Sequence, residues 1–129
     1  MTAKLGLILA GLNGLLGVAA GAFGAHGLRE KVSARDLEIW KTGAHYQQLH
    51  AVALLAVALW ALHAHAQGQP TGLHGVAMAL FTAGILIFSG TLYAMTLGGP
   101  RLLGAITPLG GLCLLGAWAT VALIGLRQA

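Results

Sequence analysis

The sequence predicts an all-α integral membrane protein, a four-helix bundle with a short interfacial helix between the first and second spans. Two observations carry that expectation. Four long apolar stretches take up most of the 129 residues. Only 8% of the residues are charged against 57% hydrophobic, and the mean hydropathy is +0.81. A soluble domain carries about a quarter of its residues as charge, so water would solvate this chain poorly. Each stretch approaches or exceeds the roughly 20 apolar residues that a helix needs to cross hydrocarbon, which makes residues 1–129 one domain with short connections.

The first stretch begins like a signal peptide, with Lys4 ahead of an apolar run. The run continues to about Phe23, past the usual length of a signal core, and is therefore expected to be a retained span over residues 5–23. A polar connection over 26–41 holds all three acidic residues, Glu30, Asp36 and Glu38. Ser33 followed by Asp36 is a capping pattern, because the Ser33 hydroxyl can accept from a free first-turn amide and Asp36 suits the positive end of a helix. A helix is thus predicted from near Ala34. Leu37 and Trp40 share one of its faces while Glu38 and Lys41 share another, as in a helix lying at the lipid surface with Trp40 at the interface.

The second span is expected over 42–62. Residues 63–74 read as an exposed turn, since Gln67-Gly-Gln-Pro70-Thr-Gly72 is rich in helix breakers. The third span, 73–97, contains the isolated Gly84 and Gly90, which membrane helices tolerate. Gly98-Gly-Pro100-Arg101 predicts a tight reversal, and the fourth span covers 102–126.

Charge bears on partners and orientation. Seven basic and three acidic residues give a net charge of +4. They cluster at the ends of the apolar stretches, which fits membrane lipid headgroups and excludes nucleic acid as the expected partner. Arg29, Lys31, Arg35, Lys41 and Arg101 lie in the first and third connections, against Lys4 and Arg127 elsewhere, so the positive-inside rule puts those connections in the cytoplasm and both termini outside. The single Cys113 has no intramolecular partner and reads as a small apolar side chain.

Glycine spacing predicts how the first helix packs. Gly14, Gly17, Gly21 and Gly24 recur at three- and four-residue intervals and form one narrow stripe, where a neighbouring backbone can approach closely. Between spans in lipid, such close van der Waals contact is a main source of association. An open groove for a ligand is the alternative use of the same stripe.

Polar side chains inside the spans are not evenly distributed. In an up-down-up-down path, His26, His45, Tyr46, Gln47, His50, Ser89, Thr91, Tyr93, Thr96 and Thr107 all fall in one membrane half. Tyr46 and His50 share a face, as do Ser89, Tyr93 and Thr96, so the two stripes can point at a common interior. His50 lies about 15 Å along the helix from Trp40, near mid-membrane, and needs a partner such as Tyr93, Ser89 or a backbone carbonyl. Such a network can hold helices together without chemistry, although an intramembrane ionisable group is also a default site hypothesis. Asn13 and Thr82 read as lying away from the cluster, as a helix-bridging amide and a hydroxyl bonded back to its own helix.

Catalysis and metal binding find little support. His63, His65 and His74 near the second turn have no Cys or carboxylate beside them, so only adventitious metal binding is expected there and no metal site is predicted. Cys113 has no evident base, and the carboxylates all sit in the first connection. The spans lack charged residues, which argues against a pump or an ion-coupled transporter. No catalytic residue and no resident cofactor are expected; a haem held by His50 with His26 or His45, or a quinone, is the alternative.

Four motifs in order resemble the small membrane family known as domain of unknown function 423, which includes transmembrane protein 256-like proteins. They are Gly21-Ala-Phe-Gly-Ala-His-Gly-Leu28, Thr42-Gly-Ala-His-Tyr-Gln-Gln-Leu-His50-Ala-Val-Ala-Leu-Leu55, Phe88-Ser-Gly-Thr-Leu-Tyr93, and Ile106-Thr-Pro-Leu-Gly-Gly111 with Gly116-Ala-Trp118. The resemblance covers nearly the whole chain and implies a four-helix protein, in bacteria of the inner membrane, whose molecular activity the family does not define. Its pattern falls on His26, Tyr46, Gln47, His50, Ser89, Tyr93, Thr107 and Pro108. His45 and Leu49 depart from it, as does Ala117 between Gly116 and Trp118, so the resemblance implies no essential role for His45. Pro108 removes one backbone donor and frees a carbonyl one turn back.

Two functional readings follow. The first is a non-enzymatic helix-packing or assembly module, a homo-oligomer or part of a larger membrane complex, whose polar cluster fixes helix register. The second is a ligand site for a lipid, quinone or haem built on the same cluster.

Overall fold

A computed structural model describes residues 1–128. Four helices follow in order: α1 over Ala3–His26, α2 over Ala34–Ala66, α3 over Gly72–Thr96 and α4 over Leu103–Gln128. All four are long and apolar enough to cross a membrane. The starts of α1 and α2 are set by side chains that satisfy free amides. The Thr2 hydroxyl accepts from the Leu5 N–H at 3.3 Å, and the Ser33 hydroxyl accepts from the Asp36 N–H at 3.1 Å. The turns at 67–71 and 97–102 each contain a glycine in the left-handed region, Gly68 at φ +70° and Gly98 at φ +97°. A side chain there would be strained, which is why breaker-rich sequence marks both turns.

The helix over 34–41 is present but is not a separate interfacial element. It runs without a break into the second span, making α2 33 residues long. No proline falls between Ala34 and Ala66 and Gly43 is the only glycine, so nothing in the chain interrupts the ladder. At 1.5 Å per residue α2 is about 50 Å long, well beyond the roughly 30 Å hydrocarbon thickness, so an upright α2 extends past the hydrocarbon. The second turn is also shorter than expected. His63 and His65 belong to the end of α2, and His74 is in the first turn of α3 and buried.

The bundle is open. α1 packs on α2, α2 on α3 and α3 on α4, whereas α1 only brushes α3 and shares no extended seam with α4. Accordingly α2 and α3 form the centre, and Leu54, Ala58, Ala77, Phe81 and Ala117 are essentially sealed. The large hydrophobics left exposed, among them Leu15, Val18, Val52, Leu86, Leu112 and Leu115, face outward, as lipid as solvent requires.

The first and third connections meet at one end of the molecule. Arg101 Nη2 lies 3.0 Å from Asp36 Oδ1, and the Thr96 hydroxyl donates to the Asp36 carbonyl at 3.1 Å. The Ser33 hydroxyl bond, and then the Arg101 charge, hold the Asp36 carboxyl below the usual aspartate range. A lowered folded-state pKa contributes stability that is present above the unfolded value and is lost as pH falls through the folded one. Asp36→Asn is therefore expected to melt slightly below the parent protein at neutral pH. The difference should shrink and then vanish as the pH is taken below the usual aspartate range, a comparison open to thermal unfolding in detergent.

Candidate functional site

The polar side chains sort by the helix they face, and the residues that converge are not those that share the most obvious stripe. On α2 the row Asp36, Trp40, Gly43 and Gln47, spaced at four, three and four, turns toward α3. On α3 the facing row is Ser89, Tyr93 and Thr96. The Ser89 hydroxyl donates to the Gly43 carbonyl at 2.7 Å, a bond that needs a close approach of the two helices. A Cβ added at Gly43 would stand 3.0 Å from the Tyr93 ring.

Gln47 is the hub. Its Oε1 accepts from the Tyr93 hydroxyl at 2.7 Å, and its Nε2 donates to Asn13 Oδ1 at 3.3 Å. Asn13 Nδ2 in turn donates to the Leu9 carbonyl at 2.9 Å. One buried amide therefore joins α1, α2 and α3. Asn13 is a bridging amide as expected, but it belongs to the network rather than lying apart from it. Thr82 does bond back to its own helix, at the Met78 carbonyl.

Trp40 is buried between helices rather than turned to lipid, with its indole N–H donating to the Ala20 carbonyl of α1 at 2.7 Å and its ring 4.4 Å from that of Tyr93 and 5.5 Å from that of Phe23. A second donor to the same helix, Gln48 Nε2, reaches the Gly17 carbonyl at 2.6 Å. Both donors reach α1 where it lacks side chains. A Cβ at Gly17 or Gly21 would lie 2.9 Å from Gln48 atoms, and one at Gly24 would lie 2.6 Å from the Trp40 ring. Gly14 is different: an added Cβ there meets nothing within 4 Å, so it takes no part in the packing of this chain.

Between α1 and α3, with α2 as its floor, runs a lateral cleft of about 420 Å³. Asn13, Trp40, Gln47, Ser89 and Tyr93 line its base and Leu16, Phe23, Leu86 and Gly90 its walls. Each of the five base residues is already hydrogen-bonded within the protein.

His50 and Tyr46 occupy a separate site. They face α3 and α4, and Nδ1 of His50 lies 2.7 Å from the Tyr46 carbonyl. A carbonyl only accepts, so Nδ1 carries the proton. The ring is boxed by Tyr46 at 5.6 Å, Phe81 at 5.9 Å and Trp118 at 6.2 Å, and Tyr46 stacks on Phe88 at 4.4 Å. Thr107 is elsewhere again, paired with Thr91 at 2.7 Å across the α3–α4 seam. His26 and His45 are exposed, and His45, five residues from His50, lies about 140° around the helix from it, so the two do not face one site.

The arrangement is thus three separate polar contacts, one joining α1, α2 and α3, one set by α2 against α3 and α4, and one on the α3–α4 seam, not a single pocket. Asn13, Trp40 and Gln48 were absent from the expected cluster. The signal for Asn13 was a lone amide in an otherwise apolar run, and that for Trp40 and Gln48 was their register opposite the glycines of the first helix.

Residues 20–111 match the family described as a protein of unknown function, DUF423. The chain is similar to the UPF0382 membrane protein YwdK of Bacillus subtilis, 40% identical over 126 residues that cover 96% of this chain and 98% of that protein. It is also similar to a UPF0382 membrane protein of Haemophilus influenzae, 40% identical over 116 residues covering 90% and 89% of the two chains. The UPF0382 inner membrane protein YgdD of Escherichia coli is 34% identical over 128 residues, covering 98% and 93%. No solved structure matches the chain.

Proposed function

The chain belongs to the DUF423 family of membrane proteins, and from that membership and the open bundle we propose that it is a non-enzymatic assembly module of the bacterial inner membrane. In this reading it packs laterally against a second copy of itself or a larger membrane complex, through the cleft between α1 and α3. One observation carries it: the polar side chains at the base of the cleft are already bonded to neighbouring helices. What the cleft offers an incoming molecule is mainly apolar wall, and apolar side chains of another span suit it better than a group needing new hydrogen bonds. The network then fixes the register of α1, α2 and α3, so that the cleft keeps its shape.

Native mass spectrometry in mild detergent tests the reading. The expected result is a stable oligomer with no haem or quinone, and Gly90→Leu, which fills the cleft wall where an added Cβ has no neighbour within 4 Å, is expected to shift it to monomers. A parent protein that runs only as a monomer, in native membrane extracts as well as after purification, overturns the proposal, as does a Gly90→Leu variant that loses a bound quinone or haem at unchanged subunit number.

The proposed orientation keeps the first and third connections in the cytoplasm, following the basic residues. Alkaline phosphatase inserted after Glu30 should then be inactive, and after Gly68 active; the reverse pattern refutes the orientation.

A further inference from the structure

At the opposite end of the molecule from the polar network, His74 presents an unusual state. It is 2% exposed, yet among the described residues neither ring nitrogen has a hydrogen-bond partner. The edge-to-face packing of Trp60, at a ring separation of 5.0 Å, supplies apolar cover and no acceptor or donor for those nitrogens. An unsatisfied polar group so placed costs several kcal/mol in lipid, which is reason to ask what it meets.

His74 lines a cavity of about 790 Å³ together with Gln69, Pro70, Gly72, Leu73, Ile124 and Arg127. Three features of this cavity share a sign. The first is the start of α3, a 25-residue helix whose N-cap Thr71 makes no side-chain capping bond, so that the amides of its first turn remain available. The second is the guanidinium of Arg127, which presents several donors suited to a phosphate. The third is charge: the acidic side chains of the chain, Glu30, Asp36 and Glu38, all belong to the other end. Leu73 and Ile124 form an apolar side to the same cavity.

The geometry points to a binding site for the phosphate of an anionic phospholipid headgroup, held by Arg127 and the α3 N-terminus with His74 beneath it. Arg127 and the first turn of α3 both border the cavity, and Leu73 and Ile124 provide the surface along which the first acyl carbons run. A headgroup that carries hydroxyls as well as phosphate offers a neutral imidazole either kind of partner, an acceptor for its N–H or a donor to its bare nitrogen. Phosphatidylglycerol has that chemistry; phosphatidylcholine lacks both the net charge and the hydroxyls. The site is independent of the lateral cleft, which lies between α1 and α3 toward the other end.

The full chain in nanodiscs or mild detergent tests this with phosphatidylglycerol, phosphatidylcholine and inorganic phosphate as separate probes. Native mass spectrometry should show one phosphatidylglycerol per chain surviving collision energies that strip phosphatidylcholine. Arg127→Gln, on an exposed side chain that makes no hydrogen bond or ion pair among the described residues, is expected to lower the retained fraction about tenfold, the loss of one charge-assisted pair. The imidazole resonances of His74 should shift on adding phosphatidylglycerol and stay in place in Arg127→Gln. Equal retention of the two lipids, or full retention by Arg127→Gln, overturns the proposal. So does a His74 shift produced equally by inorganic phosphate in phosphatidylcholine discs, which assigns the cavity to a soluble anion instead. Because Arg127→Gln carries the test, misfolding of a His74 variant does not enter it, and subunit number plays no part in the readout.

Discussion

Gly110→Val is expected to be the most damaging single change in this protein, separating α3 from α4. A Cβ at Gly110 would stand 2.8 Å from Phe88 Cα and 2.9 Å from its Cβ, with the Phe88 backbone nitrogen closer still. Backbone cannot swing aside as the tip of a side chain can, so the helices must move apart. The same crossing is tight from the other side, where a Cβ at Gly84 would lie 3.1 Å from the Gly110 carbonyl and 2.5 Å from Leu114. Overpacking a well-filled core costs about 1–3 kcal/mol, and valine at a backbone contact belongs at or beyond the upper end. Separation also uncouples Thr91 from Thr107 and opens the aromatic box around His50. The measurement is reversible unfolding in mixed micelles, with Gly111→Val as the control. That neighbouring glycine has nothing within 4 Å of an added Cβ, and valine is the better helix former of the two, so its variant should be neutral or slightly more stable, by well under about 1 kcal/mol. Comparable losses in the two variants would refute the crossing as described.

Gln47→Leu is the second large effect expected. Leucine matches glutamine closely in volume, so packing is little disturbed while two interhelical bonds disappear. Asn13 Oδ1 and the Tyr93 hydroxyl are both left without their partner. Interhelical hydrogen bonds in membranes contribute about 0.6 kcal/mol on average and up to about 1.7. Stranded buried partners add about 1–3 kcal/mol, which makes a total of roughly 2–4 kcal/mol reasonable. The double variant Gln47→Leu with Tyr93→Phe should recover part of the loss, since the orphaned hydroxyl is then gone. Additive losses in that cycle would show that the two side chains do not interact.

Membrane class and helix number were legible because hydropathy and length report on lipid directly. The Ser33 cap and the two glycine turns were legible for a local reason, each being a feature of a few adjacent residues. Packing was harder. Tyr46 with His50 and Gln47 with Gly43 are both valid stripes on one helix, and periodicity does not say which neighbour each stripe meets. Only the central place of α2, touched by α1 and α3 over much of its length, separates them into two environments. Trp40 illustrates the same gap: near a polar connection, a tryptophan suits the lipid interface and a buried seam equally well until a neighbour with Gly24 and a reachable carbonyl is put beside it. His74 was read from the breakers before it, Pro70 and Gly72, which mark where a helix begins and say nothing of what covers its first turn.

The serial order of the helices has a bearing on how the protein is made. Every extended seam joins two helices that are neighbours in the chain, so a hairpin of α1 and α2 can settle while α3 is still being synthesised, and α4 can be laid down last against α3. Nothing has to wait for the two ends of the polypeptide to meet. Loop-closure entropy is correspondingly low, and the hydrogen bonds from Asn13 through Gln47 to Tyr93 are completed as soon as the third segment enters the bilayer.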